Sequence, residues 1–375
     1  MFIHRGKESL ELDAAPSLNI VSLRRLEFKL GLKRGYLRSL AAHARGHYNP
    51  FVKPEKYRPF QKVFKKPKQR LIDNPDEELK EVQKRIYRRL LRLETLPGYI
   101  CGGVKGKSLL DNVKLHPDVG VLVTVDIANF FPSVTSQYVY FLWNSVLNCS
   151  PEISALLTKL TSFERHLPQG AATSTPLANI LICAIDQEIR TECERMGVKY
   201  STWVDDLAFS GANARHVIPV VISALSKAGL RVSRKKIKVM GTGRRKVLNG
   251  IVLGKVPTLP RENLSRIRSG IHKLAIGEVN LDSYEEYVQS LIARIRQAQT
   301  INASQALKLR LQLIDVLKKG SFPKAFRRRY LRQLSRPTHS PLPRKPVCHA
   351  LKVETRSADI TDTVQTKDDT HKPHS

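Results

Sequence analysis

The chain has 375 residues, 41% hydrophobic and 26% charged, and 64 Lys and Arg against 33 Asp and Glu give it a formal net charge of +31. That composition holds two or three domains with real cores and excludes a disordered chain, while the charge points to a polyanionic partner, because basic surfaces gain affinity by displacing counterions from phosphates. The five cysteines (Cys101, Cys149, Cys183, Cys193 and Cys348) are widely spaced with no Cys-x-x-Cys pair, which argues against a disulfide framework or a zinc site and fits a reducing cytoplasm.

Residues 18–46 place Leu and Ile at helical spacing between Arg and Lys, which predicts one or two short amphipathic helices. The Pro-rich, aromatic and basic stretch that follows reads as a short hairpin with a basic loop at Lys65–Arg70. Residues 76–93 predict a helix, with Asp76, Glu77 and Glu78 at its start and basic residues toward its end, as the helix dipole prefers. Residues 121–126 are a near-continuous apolar strand buried on both faces. Helices are expected over 136–147 and 152–164, and another from about Ser174 to Met196 after the turn Leu167-Pro168-Gln169-Gly170. Lys199–Phe209 reads as a hairpin with Asp205-Asp206 at its tip. Residues 214–229 are expected to be helical, with short strands at Lys236–Met240 and Lys246–Leu253. From Arg261 to about Leu334 the pattern is helical and strongly basic. The tail 336–375 contributes only +2 of the charge, lacks apolar periodicity and is expected to be disordered. No apolar run approaches the ~18 residues of a membrane span. The opening MFIHRGKESLELD lacks the apolar core of a signal peptide, so a cytoplasmic protein without a membrane partner is expected.

The chemistry is concentrated in three aspartates. Asp126 ends the apolar run Val121–Val125, and Asp205-Asp206 sit inside Trp203-Val204-Asp205-Asp206-Leu207-Ala208-Phe209. Gathering three like charges in an apolar setting is costly unless a cation neutralises them. Strand, carboxylate, helix and then a two-carboxylate hairpin, in a βαβ-type context, can hold two metal ions. Such a pair, about 3.5–4 Å apart, activates an attacking hydroxyl and stabilises a leaving pyrophosphate oxygen. On so basic a chain, that site suits phosphoryl transfer on nucleic acid.

The sequence resembles the reverse transcriptases. Val125-Asp126-Ile127-Ala128-Asn129-Phe130-Phe131-Pro132-Ser133-Val134 looks like their motif A. Leu167-Pro168-Gln169-Gly170-Ala171-Ala172-Thr173-Ser174-Thr175-Pro176-Leu177-Ala178-Asn179 looks like motif B, and Trp203-Val204-Asp205-Asp206 like motif C, with Trp where Tyr is usual. Gly229-Leu230 with Lys235-Lys236 is similar to motif D, and Leu248-Asn249-Gly250 occupies the place of motif E. Order and spacing match from about residue 20 to 320. Within the family, the chain resembles the bacterial retron enzymes most. Asn112-Val113-Lys114-Leu115-His116 is similar to their Asn-Ala-x-x-His element, and Val247–His272 to the region that carries a Val-Thr-Gly triplet, replaced here by Leu248-Asn249-Gly250.

The resemblance implies an α+β right-hand polymerase with a small, mainly antiparallel palm sheet. Fingers would span 1–120 with 160–185 contributing, the palm 121–258 and a helical thumb 259–335. It implies an RNA-directed DNA polymerase with two Mg²⁺ held by Asp126, Asp205, Asp206 and Ile127. Lys65, Lys66 and Arg70 would meet the triphosphate, Phe131 would stand as a steric gate against a ribose 2′-OH, and Gln169 would position template or nucleotide. Lys235 or Lys236 would protonate pyrophosphate. Asn112 and His116 would contact RNA, or form a hydrogen bond on a helix surface. Arg261, Arg266, Arg268, His272 and Lys273, with further basic residues to Lys319, suit the backbone of an RNA duplex or RNA–DNA hybrid. Implied partners are dNTPs, a structured noncoding RNA serving as template and primer, and a separate effector protein in antiphage defence. The alternatives are a non-retron defence reverse transcriptase or a non-catalytic RNA-binding relative, the latter disfavoured by the three intact aspartates. Gly102-Gly103-Val104-Lys105-Gly106-Lys107-Ser108 ends like a P-loop, but Cys101 stands where its first Gly belongs, so no NTPase is inferred.

Overall fold

Capping residues set the first helices. The computed structural model describes residues 18–54, 69–93, 96–117, 120–279 and 284–335. The predicted loop lysines Lys65 and Lys66 and the tail 336–375 lie outside the described residues. Helix α1 (Leu23–Leu30) starts where the Ser22 side chain accepts from the Arg25 N–H, and it ends at Gly31, whose φ of 61° suits a residue without Cβ. After α2 (Tyr36–Ala42), strands β1 (Tyr48–Pro54) and β2 (Gln69–Pro75) pair antiparallel from Tyr48↔Pro75 to Pro54↔Gln69, the expected hairpin. Helix α3 (Glu77–Arg89) is capped by Asp76, with Arg88 and Arg89 in its last turn. Helix α4 (Leu109–Lys114) opens with a reciprocal Ser108–Asp111 capping box.

The palm follows. Strand β3 (Leu122–Asp126) leads into α5 (Phe130–Ser133), α6 (Ser136–Phe141) with a π-helical turn over Leu142–Val146, and α7 (Pro151–Thr161). Next come α8 (Ser174–Ile185), α9 (Gln187–Arg195), β4 (Lys199–Trp203), β5 (Asp206–Ser210), α10 (Ile218–Lys227) and β6 (Lys238–Met240). The sheet order is β4-β5-β3-β6, every neighbour antiparallel. It is the small antiparallel sheet expected. Strand β4 runs parallel to β3 with β5 between them, so the βαβ unit is split.

Three sequence expectations are corrected here. The single helix over 174–196 breaks at Asp186, whose buried carboxylate meets Tyr99 Oη at 3.1 Å, Tyr200 Oη at 3.2 Å and Arg190 Nε at 2.9 Å. Asp206 is not in the hairpin tip but starts β5, opposite Trp203. The helix expected from 214 begins only at Ile218.

Strands β7 (Val247–Leu248) and β8 (Ile251–Val252) form a small hairpin before four helices: α11 (Arg261–Ala275), α12 (Tyr284–Ile301), α13 (Ala303–Lys319) and α14 (Lys324–Ser335). These four bury their own core, with Ile267, Ile271, Leu291, Ile295, Leu313 and Tyr330 inside it. A separate core runs through the helices and strands before them and includes Leu26, Ile86, Val123, Trp143, Leu181 and Phe209. A small third cluster of Val113, Leu122, Ala208, Leu248 and Ile251 lies between, with Ile301 packed on it.

Candidate active site

Register brings two of the three acids together. Asp126, the last residue of β3, is the direct partner of Asp206, the first of β5. Asp205 sits in the preceding turn, whose backbone is tied down because the Ile127 N–H donates to Asp205 O at 3.0 Å. On the other side, the Ser233 N–H donates to Asp126 O at 2.8 Å and the Ala128 N–H to Arg231 O at 2.7 Å. Val204, at the tip, holds φ +60°. That is a left-handed conformation that a β-branched side chain enters only under strain, and such strain collects at functional turns.

The electrostatics match a charge cluster. Burial, then the nearby Asp126, raises the Asp205 carboxyl above its ordinary value, while Lys236 and Arg70 pull it back. Desolvation, then Asp205 and Asp126, pushes Asp206 up to about 6. Its side chain keeps an open face, so water screening trims what that shift is worth. Lys236 lies in the short helical turn Arg234–Lys236, and its Nζ donates to both oxygens of Asp126, at 2.6 and 2.8 Å.

As they stand, no three His, Cys, Asp or Glu side chains among the described residues are gathered closely enough to hold a metal ion. The donor set nonetheless fits a hard divalent cation. It consists of three carboxylates: Asp205 and Asp206, with raised proton affinity, and Asp126, which already draws the Lys236 ammonium. The side chain of Ile127 is buried and its N–H engaged, so only its carbonyl oxygen is available as a ligand.

Strand β2 reaches this site. Arg70 lies close enough to lower the Asp205 carboxyl. Gln169 is half-buried in the turn before α8. Phe131 is half-buried beside the buried Phe130, their ring centroids 5.8 Å apart.

Gly102 and Gly103, which belong to no complete motif in the sequence, form a platform under the hairpin that carries Asp205. A Cβ on Gly102 would lie 2.5 Å from Val204 N, and one on Gly103, at φ +71°, would run into Thr175. Asn179 Nδ2 donates to Gly102 O at 2.7 Å, fixing the platform to α8. Adjacent glycines signal close backbone approach, and that was the available clue.

The profile of the family described as reverse transcriptase (RNA-dependent DNA polymerase) matches residues 61–255. The chain belongs to that family. The retron Ec86 reverse transcriptase of Escherichia coli is 29% identical over 229 residues, covering 60% of this chain and 71% of its own. The retron Se72 reverse transcriptase of Salmonella heidelberg (strain 579083-10) is 25% identical over 311 residues, covering 80% of each. These relatives identify a retron-type, RNA-directed DNA polymerase. A solved structure of telomerase from Candida albicans with a TWJ fragment of telomeric RNA aligns over 80% of this chain and 70% of its own, at 10% identity and a TM-score of 0.42. That likeness is too loose to bear on function.

In this reverse transcriptase, Asn112 and His116 are not an RNA-contacting surface pair. Both are 1% exposed. His116 bridges the sheet from below, with Nδ1 2.6 Å from Ser210 Oγ and Nε2 2.7 Å from Ser201 Oγ. The side-chain oxygen and nitrogen of Asn112 are buried without partners. On α11, Arg261, Arg268 and His272 are exposed, Lys273 is half-buried with Glu278 3.8 Å away, and Arg266 lines a cavity of about 340 Å³ with Asn249 and Arg294. No helix among the described residues is long and apolar enough to cross a membrane.

Proposed function

We propose that this enzyme copies a structured noncoding RNA into DNA by metal-assisted nucleotidyl transfer. The observation that carries the reading is the cross-strand pair Asp126↔Asp206 with Asp205 coupled to it, on a chain of net charge +31. Fingers over 1–120 with 160–185, palm over 121–258 and thumb over 259–335 are the proposed division. Asp126, Asp205, Asp206 and the Ile127 carbonyl would hold two Mg²⁺, with Lys236 leaving Asp126 as they bind. When bound, the ions activate the primer hydroxyl and stabilise charge on the leaving pyrophosphate.

The chain's own residues do the rest. Arg70, with Lys65, offers guanidinium and ammonium donors to the triphosphate. Phe131 closes the space that a ribose 2′-OH would need. The Gln169 amide orients template or nucleotide, and Lys236, once released, is placed to return a proton to the departing phosphate. The exposed basic residues Arg261, Arg268 and His272 grip the backbone of the duplex. The reading extends, by the resemblance of the sequence to retron enzymes, to priming from an RNA 2′-OH, a branched RNA–DNA product (msDNA), a role in antiphage defence beside a separate effector, and a bacterial cytoplasmic setting.

Incubating the purified chain with Mg²⁺ and dNTPs, and sequencing nucleic acid that co-purifies, tests this reading. DNA joined covalently to RNA is expected. Homopolymeric or protein-linked DNA would overturn the retron reading. Asp205→Ala is expected to abolish synthesis while RNA binding in a gel shift is retained, and unchanged synthesis would refute the metal assignment.

A further inference from the structure

Asp73 lies in β2, three residues beyond Arg70, with its side chain 3% exposed. Its Oδ2 accepts the backbone N–H of Gln169 at 3.0 Å and lies 3.2 Å from His166 Nε2. The backbones are paired as well, for the Asp73 N–H donates to Gln169 O at 2.9 Å. Oδ1 is buried without a hydrogen-bond partner. The next residue of the turn, Gly170, holds φ +137°, and a Cβ there would sit 3.0 Å from Ile72 Cγ2 and 3.2 Å from Asp73 O. The turn is therefore seated directly on β2, with no room for a side chain between them.

A carboxylate with one oxygen satisfied and one orphaned costs stability, and a position that served packing alone would be better filled by an apolar residue. We propose that Asp73 is a positioning residue for nucleotide binding. It locks the strand carrying Arg70 onto the turn carrying Gln169, so that the two groups keep one spacing as a nucleotide enters. Arg70 comes from the fingers hairpin and Gln169 from the segment leading into α8, and this is a direct side-chain tie between those two pieces of chain. The inference rests on the polymerase reading, because it is the incoming dNTP that both groups would face.

The test uses the full chain with dTTP on poly(rA)–oligo(dT). Asp73→Ala is expected to raise the KM for dTTP about tenfold, with kcat within about threefold and template–primer affinity unchanged. Asp73→Asn keeps an acceptor oxygen for the Gln169 N–H and is expected to recover most of that loss. An unchanged KM in Asp73→Ala, or a collapse of the melting temperature in both variants, would overturn the proposal. Hydrogen exchange at the Gln169 amide reads the tie without any turnover: faster exchange in Asp73→Ala supports it, and equal protection overturns it. Absence of synthesis by the wild-type chain would count against the polymerase reading, leaving the exchange result to decide the clamp.

Discussion

His116 makes the stability of this fold depend on pH in a way that can be worked from its surroundings. The ring is buried under the palm sheet, between Ser201 of β4 and Ser210 of β5. Each hydroxyl both donates and accepts, so a neutral imidazole is satisfied at both nitrogens. Burial lowers its pKa from 6.5 to about 4. The unfolded chain therefore takes up a proton near 6.5 that the folded chain refuses until about 4, and stability falls as pH drops through that window. Fully traversed, the gap is worth about 3 kcal/mol, of which about 2 kcal/mol is lost between about pH 7 and about pH 4.5. Asp186 and Asp206, both pushed up to about 6, act with the opposite sign, because their folded forms hold protons that the unfolded chain releases. Urea denaturation of wild type and His116→Gln at both pH values isolates the histidine. The wild type is expected to lose about 2 kcal/mol more than the variant on acidification. A wild-type-minus-variant difference that stays flat would refute the buried neutral ring.

Gly102→Ala is expected to destabilise the fold by about 2 kcal/mol in thermal unfolding and to cut synthesis at least about tenfold, because the new Cβ shifts the turn carrying Asp205; wild-type activity would show that the hairpin yields freely. Phe131→Val is expected to raise ribonucleotide incorporation relative to deoxynucleotide by about tenfold or more in single-nucleotide extension, and an unchanged ratio would remove the gate. Lys236→Met strips Asp126 of its ammonium, so the metal-free protein is expected to lose up to about 1 kcal/mol, discounted for the exposure of that lysine, while added Mg²⁺ raises its melting temperature more than that of the wild type.

The hairpin was legible because Asp205-Asp206 interrupt the apolar stretch Trp203–Phe209 as a turn would, and Asp126 because it ends an apolar run of its own. The helical C-terminal bundle followed from the pattern of residues 261–334, whereas the antiparallel sheet was implied by the resemblance to reverse transcriptases. What failed to show was whatever depends on distant partners. The break at Asp186 is made by Tyr99 and Tyr200, neither of which marks the local pattern over 174–196. The i, i+4 spacing of Asn112 and His116 suggested a helix surface, yet the two serines that hold the ring come from strands much later in the chain. Lys236 was one basic residue among 64, and only the turn at Arg234–Lys236 picks it out against Asp126. The adjacent glycines were read against the wrong template, a nucleotide-binding loop, when their service is to a neighbouring backbone.

The C-terminal bundle keeps its apolar interior to itself, and Ile301 marks where it touches the small joint cluster of Val113, Leu122 and Leu248. Four helices with an interior of their own can soften on their own: damage deep inside them, at Leu313 for example, is expected to loosen that bundle before it disturbs the strands that carry Asp126 and Asp206.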